Sequence, residues 1–126
     1  MAESAKKWEK IRNEYYRYIR FEKRLSGNSI DAYMRDFEEF SHFVMHHWHI
    51  NPEQVSQEHI ERYMAWLYTQ GRSSASQARR LSGIKSFYNF MLLNDSVQQL
   101  PTESVKAGNA GRMLPDPFTL AVFDDL

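Results

Sequence analysis

Apolar side chains recur in four separate stretches of this chain at intervals of three and four residues, the period of one face of an α-helix. The first stretch spans Lys6 to Leu25, with Trp8, Ile11, Tyr15, Tyr18 and Ile19 in phase. The second begins near Asn28 and places Ile30, Tyr33, Met34, Phe37, Phe40 and Val44 on one side. The third, Val55 to Gln70, uses Ile60, Tyr63, Met64 and Leu67. The fourth, Ser74 to Leu93, uses Gln77, Leu81, Ile84, Tyr88, Met91 and Leu92. Between them stand residues that start or stop helices: the run Ser26-Gly27-Asn28-Ser29, the turn Asn51-Pro52, Ser56 as an N-cap and Gly71 as a stop. Four amphipathic helices on short links predict an all-α bundle with antiparallel neighbours.

Past Leu93 the period is lost. Gln98 to Pro117 holds three of the four prolines and two of the five glycines, a composition that reads as a linker. Phe118 to Leu126 is weakly amphipathic and reads as the opening of another unit. The expected organisation is therefore a helical domain over 1–95, a linker over 96–117 and the start of a further domain over 118–126.

Composition narrows this picture. A chain of 126 residues with 42% hydrophobic residues can bury one core, and the eight Phe, seven Tyr and three Trp supply large contact areas for it. With no cysteine, disulfides, thiolate metal sites and cysteine nucleophiles are excluded. No apolar run approaches the roughly 20 residues a membrane helix needs, and Met1 to Lys10 lacks the apolar core of a signal peptide. A cytoplasmic protein is the expectation.

Net charge is zero, so the distribution of charge carries the information. Residues 1–35 hold nine bases and five acids, and residues 72–85 hold four bases and no acid. From Asp36 to Glu61 there are six acids and neither Lys nor Arg. If the basic segments share a face and the acidic one lies behind them, a neutral chain presents a positive surface to a polyanion. The fourth helix supplies the clearest such face: Arg79, Ser82, Gly83 and Ser86, with Lys85 and Asn89 at its edge, set bases and hydroxyls among very small residues. At the start of the second helix, Asn28, Ser29, Ala32 and Arg35 combine free backbone donors, a hydroxyl and a base, the ingredients of a phosphate site. Ordinary capping and solvation account for the same residues equally well.

Other chemistry finds little support. His42 and His46 have the i, i+4 spacing of a helical metal pair, but no cysteine or well-placed carboxylate completes a site, and histidines near a helix C-terminus complement its dipole. No metal or cofactor is expected. No acid/base pair, nucleophile triad or phosphate-cradling glycine loop is present. A helical protein-interaction domain, receiving a partner helix against Gly83 and Ser86, is the alternative to nucleic-acid binding.

Taken in order, the segments LSGNS, SIDAYMRDFEEFSHF, VSQEHIERYMAWLYTQG and SSASQARRLSGIKSFYNFMLL, followed by a linker closing on RMLPDPFTLAVFDDL, resemble the amino-terminal core-binding domain of Xer-type and phage-type tyrosine recombinases. The fourth helix carries the most specific part of the likeness, through Arg79, Arg80, Leu81, Ser82, Lys85, Phe87 and Tyr88. The sequence departs from the family habit at Ser29, where Thr is commoner, and at Gly83, where Ala is common. The resemblance implies a four-helix SAM-like bundle that forms half of a clamp on double-stranded DNA, followed by an extended linker. It also implies that other recombinase subunits are partners, as a tetramer on paired sites, with the protein associated with the nucleoid. The DNA contacts it implies are Asn28, Ser29, Arg35, Arg79, Arg80, Ser82 and Lys85. The nucleophilic tyrosine and its arginine and histidine partners would belong to a carboxy-terminal domain starting near Leu114, which leaves residues 1–126 catalytically inert. The string His59-Ile-Glu-Arg62 matches a catalytic motif of that family in letters, but its place in the third helix beside a buried stripe makes it a coincidence.

Overall fold

The computed structural model describes residues 2–106. It contains α1 (Ala2–Arg17), α2 (Gly27–Trp48), α3 (Gln57–Thr69) and α4 (Ser74–Leu93), with no strand among the described residues. The all-α, four-helix class expected from the periodicity is the observed one. Residues 118–126 and most of the proline-rich stretch lie outside the described residues.

Helix boundaries follow local chemistry. The Ser26 hydroxyl accepts from the Ser29 N–H at 3.2 Å, so α2 starts slightly earlier than the Asn28 expected from pattern alone. Ser73 caps α4 in the same way, accepting from the Ser76 N–H at 3.1 Å. At α3 the cap is reciprocal: the Ser56 hydroxyl accepts from the His59 N–H, and His59 Nδ1 accepts from the Ser56 N–H at 2.9 Å. His59 is thus a helix-capping residue, and Arg62 pairs with Glu58 on the exposed surface, which accounts for both ends of the His59–Arg62 string. Gly71 ends α3 with φ of +78°, the left-handed backbone that glycine adopts without a steric penalty. The Arg72 N–H then reaches back to the Leu67 carbonyl at 3.2 Å. Between α1 and α2, a π-helical turn over Tyr18–Glu22 keeps Ile19 buried but turns Phe21 outward, and Leu25 in the link that follows packs half-buried against the core.

Aromatic rings bind the four helices. Phe87 of α4 sits 4.8 Å from Phe37 of α2 and 5.4 Å from Tyr15 of α1, both edge-on, and Phe40 meets Tyr63 of α3 at 5.2 Å. Such tilted contacts suit the ring quadrupole. Most of the polar tips are satisfied: Trp8 Nε1 donates to the Ile50 carbonyl, Tyr15 to the Ser86 hydroxyl and Tyr88 to the Pro52 carbonyl, each at 2.9 Å. These tyrosines are held by packing, and burial pushes the Tyr15 hydroxyl up to about 12.

The pattern was least informative for α4. Leu92, assigned to its buried stripe, is 38% exposed, whereas Phe87, Phe90 and Gly83 are buried. The cause is that α4 packs on all three other helices, so its buried arc is wider than a single stripe and the apolar residues do not fix its phase. Gly83 marks a close approach to α2. A Cβ there would stand 3.2 Å from the Asp36 Cβ and 3.3 Å from its Oδ2.

Beyond α4, Val97 and Leu100 pack against the core, and Thr102 and Val105 are buried, Val105 to 1% exposure. The first part of the segment expected as linker therefore covers the bundle.

Two consequences can be measured. Gly83→Val should destabilise the fold by about 2–3 kcal/mol through overpacking against Asp36, read from the midpoint of urea unfolding. His59 provides a pH signature. Burial disfavours its charged ring and holds it below its usual value of about 6.5, with Glu58 opposing. Its contribution is complete above that value and is lost as pH falls through the lower folded value. His59→Gln keeps a side-chain acceptor at this position but does not titrate, so wild type should lose more stability than the variant between about pH 7 and 5.

Candidate nucleic-acid interface

The outward strip of α4 is formed by Ala75, Ala78, Ser82, Lys85 and Asn89, spaced three and four apart. Ser82 and Asn89 are exposed and Lys85 is half-buried. This strip contains no acid, and its first two turns carry side chains no longer than a hydroxymethyl group. Arg79 flanks it and is 45% exposed. The sequence-based face was turned too far: Gly83 points into α2, and Ser86 receives the Tyr15 hydroxyl, so neither belongs to the outer surface. The protein-interaction alternative named those two residues, and Gly83 is covered by α2 within the bundle.

Acids of α2 meet the bases of α4. The acidic stretch does not lie wholly behind the basic one, because Asp36 and Glu39 face α4 directly. Arg79 Nη1 donates to Asp36 Oδ2 at 3.1 Å. Arg80 Nε donates to Glu39 Oε1 at 2.6 Å, and Arg72 Nη2 to the other oxygen of Glu39, also at 2.6 Å. Arg80 Nη1 additionally reaches the Ser76 hydroxyl at 2.8 Å. The two adjacent arginines therefore differ in kind. Arg80, 16% exposed, is spent on holding α4 to α2. Arg79 uses a single nitrogen, and its side chain is 45% exposed.

The carboxylates respond to these surroundings in opposite directions. Burial pushes Asp36 up, against the pull of Arg79 and Arg80. Burial acts the same way on Glu39, but hydrogen bonds from Arg80 and Arg72 outweigh it and leave that carboxyl below its usual range. Asp36 Oδ1 is buried and finds no donor among the described residues.

On α2, Asn28 and Arg35 are exposed, and Ser29 is half-buried with its N–H engaged by Ser26. Arg35 lies next to Asp36 in sequence and acts on its carboxyl together with Arg79 and Arg80. The crossing of α2 and α4 thus brings Arg35, Arg79 and Arg80 around one buried acid, while Asn28 and Ser29 stand at the start of α2, two turns away along that helix. Sequence reasoning overlooked Asp36, Glu39, Arg72 and Ser76. A signal was present: Asp36 occupies a position three residues from Tyr33 and four from Phe40, inside the apolar stripe, where an unpaired acid is costly.

Elsewhere, among the described residues no group of three or more potential ligands is arranged to hold a metal ion, and no helix is long and apolar enough to cross a membrane. His47 Nδ1 lies 2.9 Å from the Phe43 carbonyl one turn earlier.

The ion pairs yield a stability prediction. Arg80→Ala should cost about 2 kcal/mol, because Glu39 loses one of two partners in a half-buried setting. Arg35→Ala, at an exposed position without an ion pair among the described residues, should stay within about 0.5 kcal/mol of wild type. Urea denaturation of both variants compares them.

Comparison with known proteins places this geometry in context. The profile of the phage integrase N-terminal SAM-like domain matches residues 13–94. A protein named as a tyrosine recombinase in Caldanaerobacter subterraneus subsp. tengcongensis is 30% identical over 118 residues, which are 94% of this chain and 40% of that protein. Tyrosine recombinase XerC of Herpetosiphon aurantiacus is 28% identical over 90% of this chain, and tyrosine recombinase XerD of Staphylococcus aureus is 32% identical over 86% of it. The chain covers 37% of each of these last two proteins. No solved structure matches it significantly.

Proposed function

The chain belongs to the phage integrase N-terminal SAM-like domain family, and from that membership we propose that it is the DNA-binding module of a site-specific tyrosine recombinase, gripping duplex DNA at a recombination site. The observation that carries the reading is the outer strip of α4. Its small side chains at Ala75, Ala78 and Ser82 let the helix backbone come close to a groove wall, and no carboxylate on the strip repels phosphate. Arg79 and Lys85 supply cationic donors beside it, and Arg35 extends the basic surface onto α2. Asn28 and Ser29 are assigned to phosphate contact at the start of α2. Arg80 is assigned a supporting role in the same interface, through the seating of α4.

In this reading the chain positions DNA and breaks no bond. Strand cleavage by a tyrosine, with arginines and a histidine stabilising charge on the phosphate oxygens, is assigned to the remainder of a longer protein. Further subunits, a tetramer on paired sites and a place at the nucleoid in the cytoplasm belong to the same proposal.

Binding by this module alone should be weak and salt-sensitive, because phosphate contacts dominate. Ser82→Glu places an acid on the outer strip without touching any paired residue, and it should weaken duplex binding by about tenfold or more at low salt. Lys85→Ala should lower the slope of log affinity against log salt by about 0.9, one phosphate contact. Titration of a labelled duplex by fluorescence anisotropy measures both, and wild-type affinity in Ser82→Glu sinks the reading.

A further inference from the structure

Arg79 is a cation that the α2–α4 crossing presents to solvent, and Asp36 lies beneath it. Three observations set this acid apart from the other carboxylates. Its side chain is 1% exposed, so it makes no direct contact with a ligand. Oδ2 receives Arg79 Nη1 at 3.1 Å, while Oδ1 finds no donor among the described residues. Gly83 leaves the carboxylate uncrowded, since a Cβ there would stand 3.3 Å from Oδ2, closer than ordinary van der Waals contact. A buried, half-satisfied acid contributes little to stability, because its desolvation offsets much of its attraction to one exposed arginine. Its cost is explained if its work is to aim that arginine.

We propose that Asp36 is a positioning residue for DNA binding: from beneath the interface it fixes the Arg79 guanidinium so that the remaining N–H groups point outward as a preformed fork. Resting on the DNA-binding reading above, this adds a division of labour among the charges. Glu39 consumes Arg80 and Arg72, whereas Asp36 takes one corner of Arg79 and leaves Nε and Nη2 without a hydrogen bond among the described residues. A guanidinium held at one nitrogen loses less rotamer freedom on meeting a phosphate or a base edge.

Positioning and simple charge predict effects of opposite sign. Removing an acid from a DNA-binding surface ordinarily raises affinity, since it removes repulsion of phosphate. Positioning gives the opposite: Asp36→Asn should bind a mixed-sequence duplex about fivefold more weakly than wild type, with the same variant neutral or slightly tighter in an Arg79→Ala background. Gly83→Ala provides a second variant that alters no charge. Its Cβ would crowd the Asp36 side chain at 3.2 Å from Cβ and 3.3 Å from Oδ2, shifting it slightly, and it should weaken binding in the same direction. Each variant is measured by anisotropy well below its own melting temperature.

If Arg79→Ala weakens binding but Asp36→Asn and Gly83→Ala bind as well as wild type or better, the positioning role is overturned and the DNA-binding reading stands. If Arg79→Ala binds like wild type, Arg79 is not a contact and positioning falls with it; Ser82→Glu then decides the DNA reading separately. A further readout separates aiming from mere folding: Asp36→Asn should make the Arg79 Nε–H more mobile in the free protein by nitrogen relaxation. An unchanged order parameter there counts against the proposal.

Discussion

The seating of α2 on α4 at Gly83 governs most of what this structure offers. With no side chain at that position, the two helices approach until the Asp36 Cβ lies 3.2 Å from the point that a Cβ on residue 83 would occupy. A polar group is thereby carried into an interface otherwise filled by Phe37, Phe40 and Phe87. An acid so placed demands a base, and α4 answers with Arg79, while Glu39 one turn further along α2 engages Arg80 and Arg72. The close approach, the aromatic packing and the ion pairs are one arrangement. Shifting α4 by a residue would break all three, so the phase of α4 is set by this crossing more than by its apolar stripe.

That dependence explains how far the sequence could be read. α3 was legible because a single side of it is buried: Ile60, Tyr63, Met64 and Leu67 all face the core as their spacing requires. α1 was nearly so: the helix begins at Ala2, ahead of the Lys6 expected, and its phase lapses at the π-helical turn, where a wider turn changes the phase without any Gly or Pro to announce it. α4 resisted because Phe87 and Phe90 fall outside the stripe its other apolar residues suggest, and partners on three sides bury them anyway. Charge was harder still. Counting acids and bases by segment shows that the chain is polarised, but it does not tell which arginine is spent within the fold. The difference between Arg79 and Arg80 is one of direction, and direction depends on where Asp36 and Glu39 stand on a neighbouring helix.

Family membership and geometry contribute different things. The matched profile covers residues 13–94, the end of α1 and the whole of α2, α3 and α4, and gives the kind of protein to which the chain belongs. It is silent on how a chain with equal numbers of acids and bases could present a basic surface. The structure answers through pairing: two of the acids of α2 are neutralised internally against α4, and the outer strip of α4 bears none. Formal net charge is then a poor guide to the field at this surface, because the charges that cancel in the sum do so partly inside the molecule.

The segment after α4 has a mechanical meaning. Val105 and Thr102 are buried against the bundle, so the chain stays on the surface of the bundle well past the end of α4. A tether from this bundle to another unit would leave from beyond that contact and not from the end of α4. A shorter free span raises the effective concentration of one attached element at the other. It also fixes the point on the bundle surface from which the span departs. Loosening the Val105 anchor would therefore lengthen the leash without altering a single residue of the interface, and would act on how often the two ends meet.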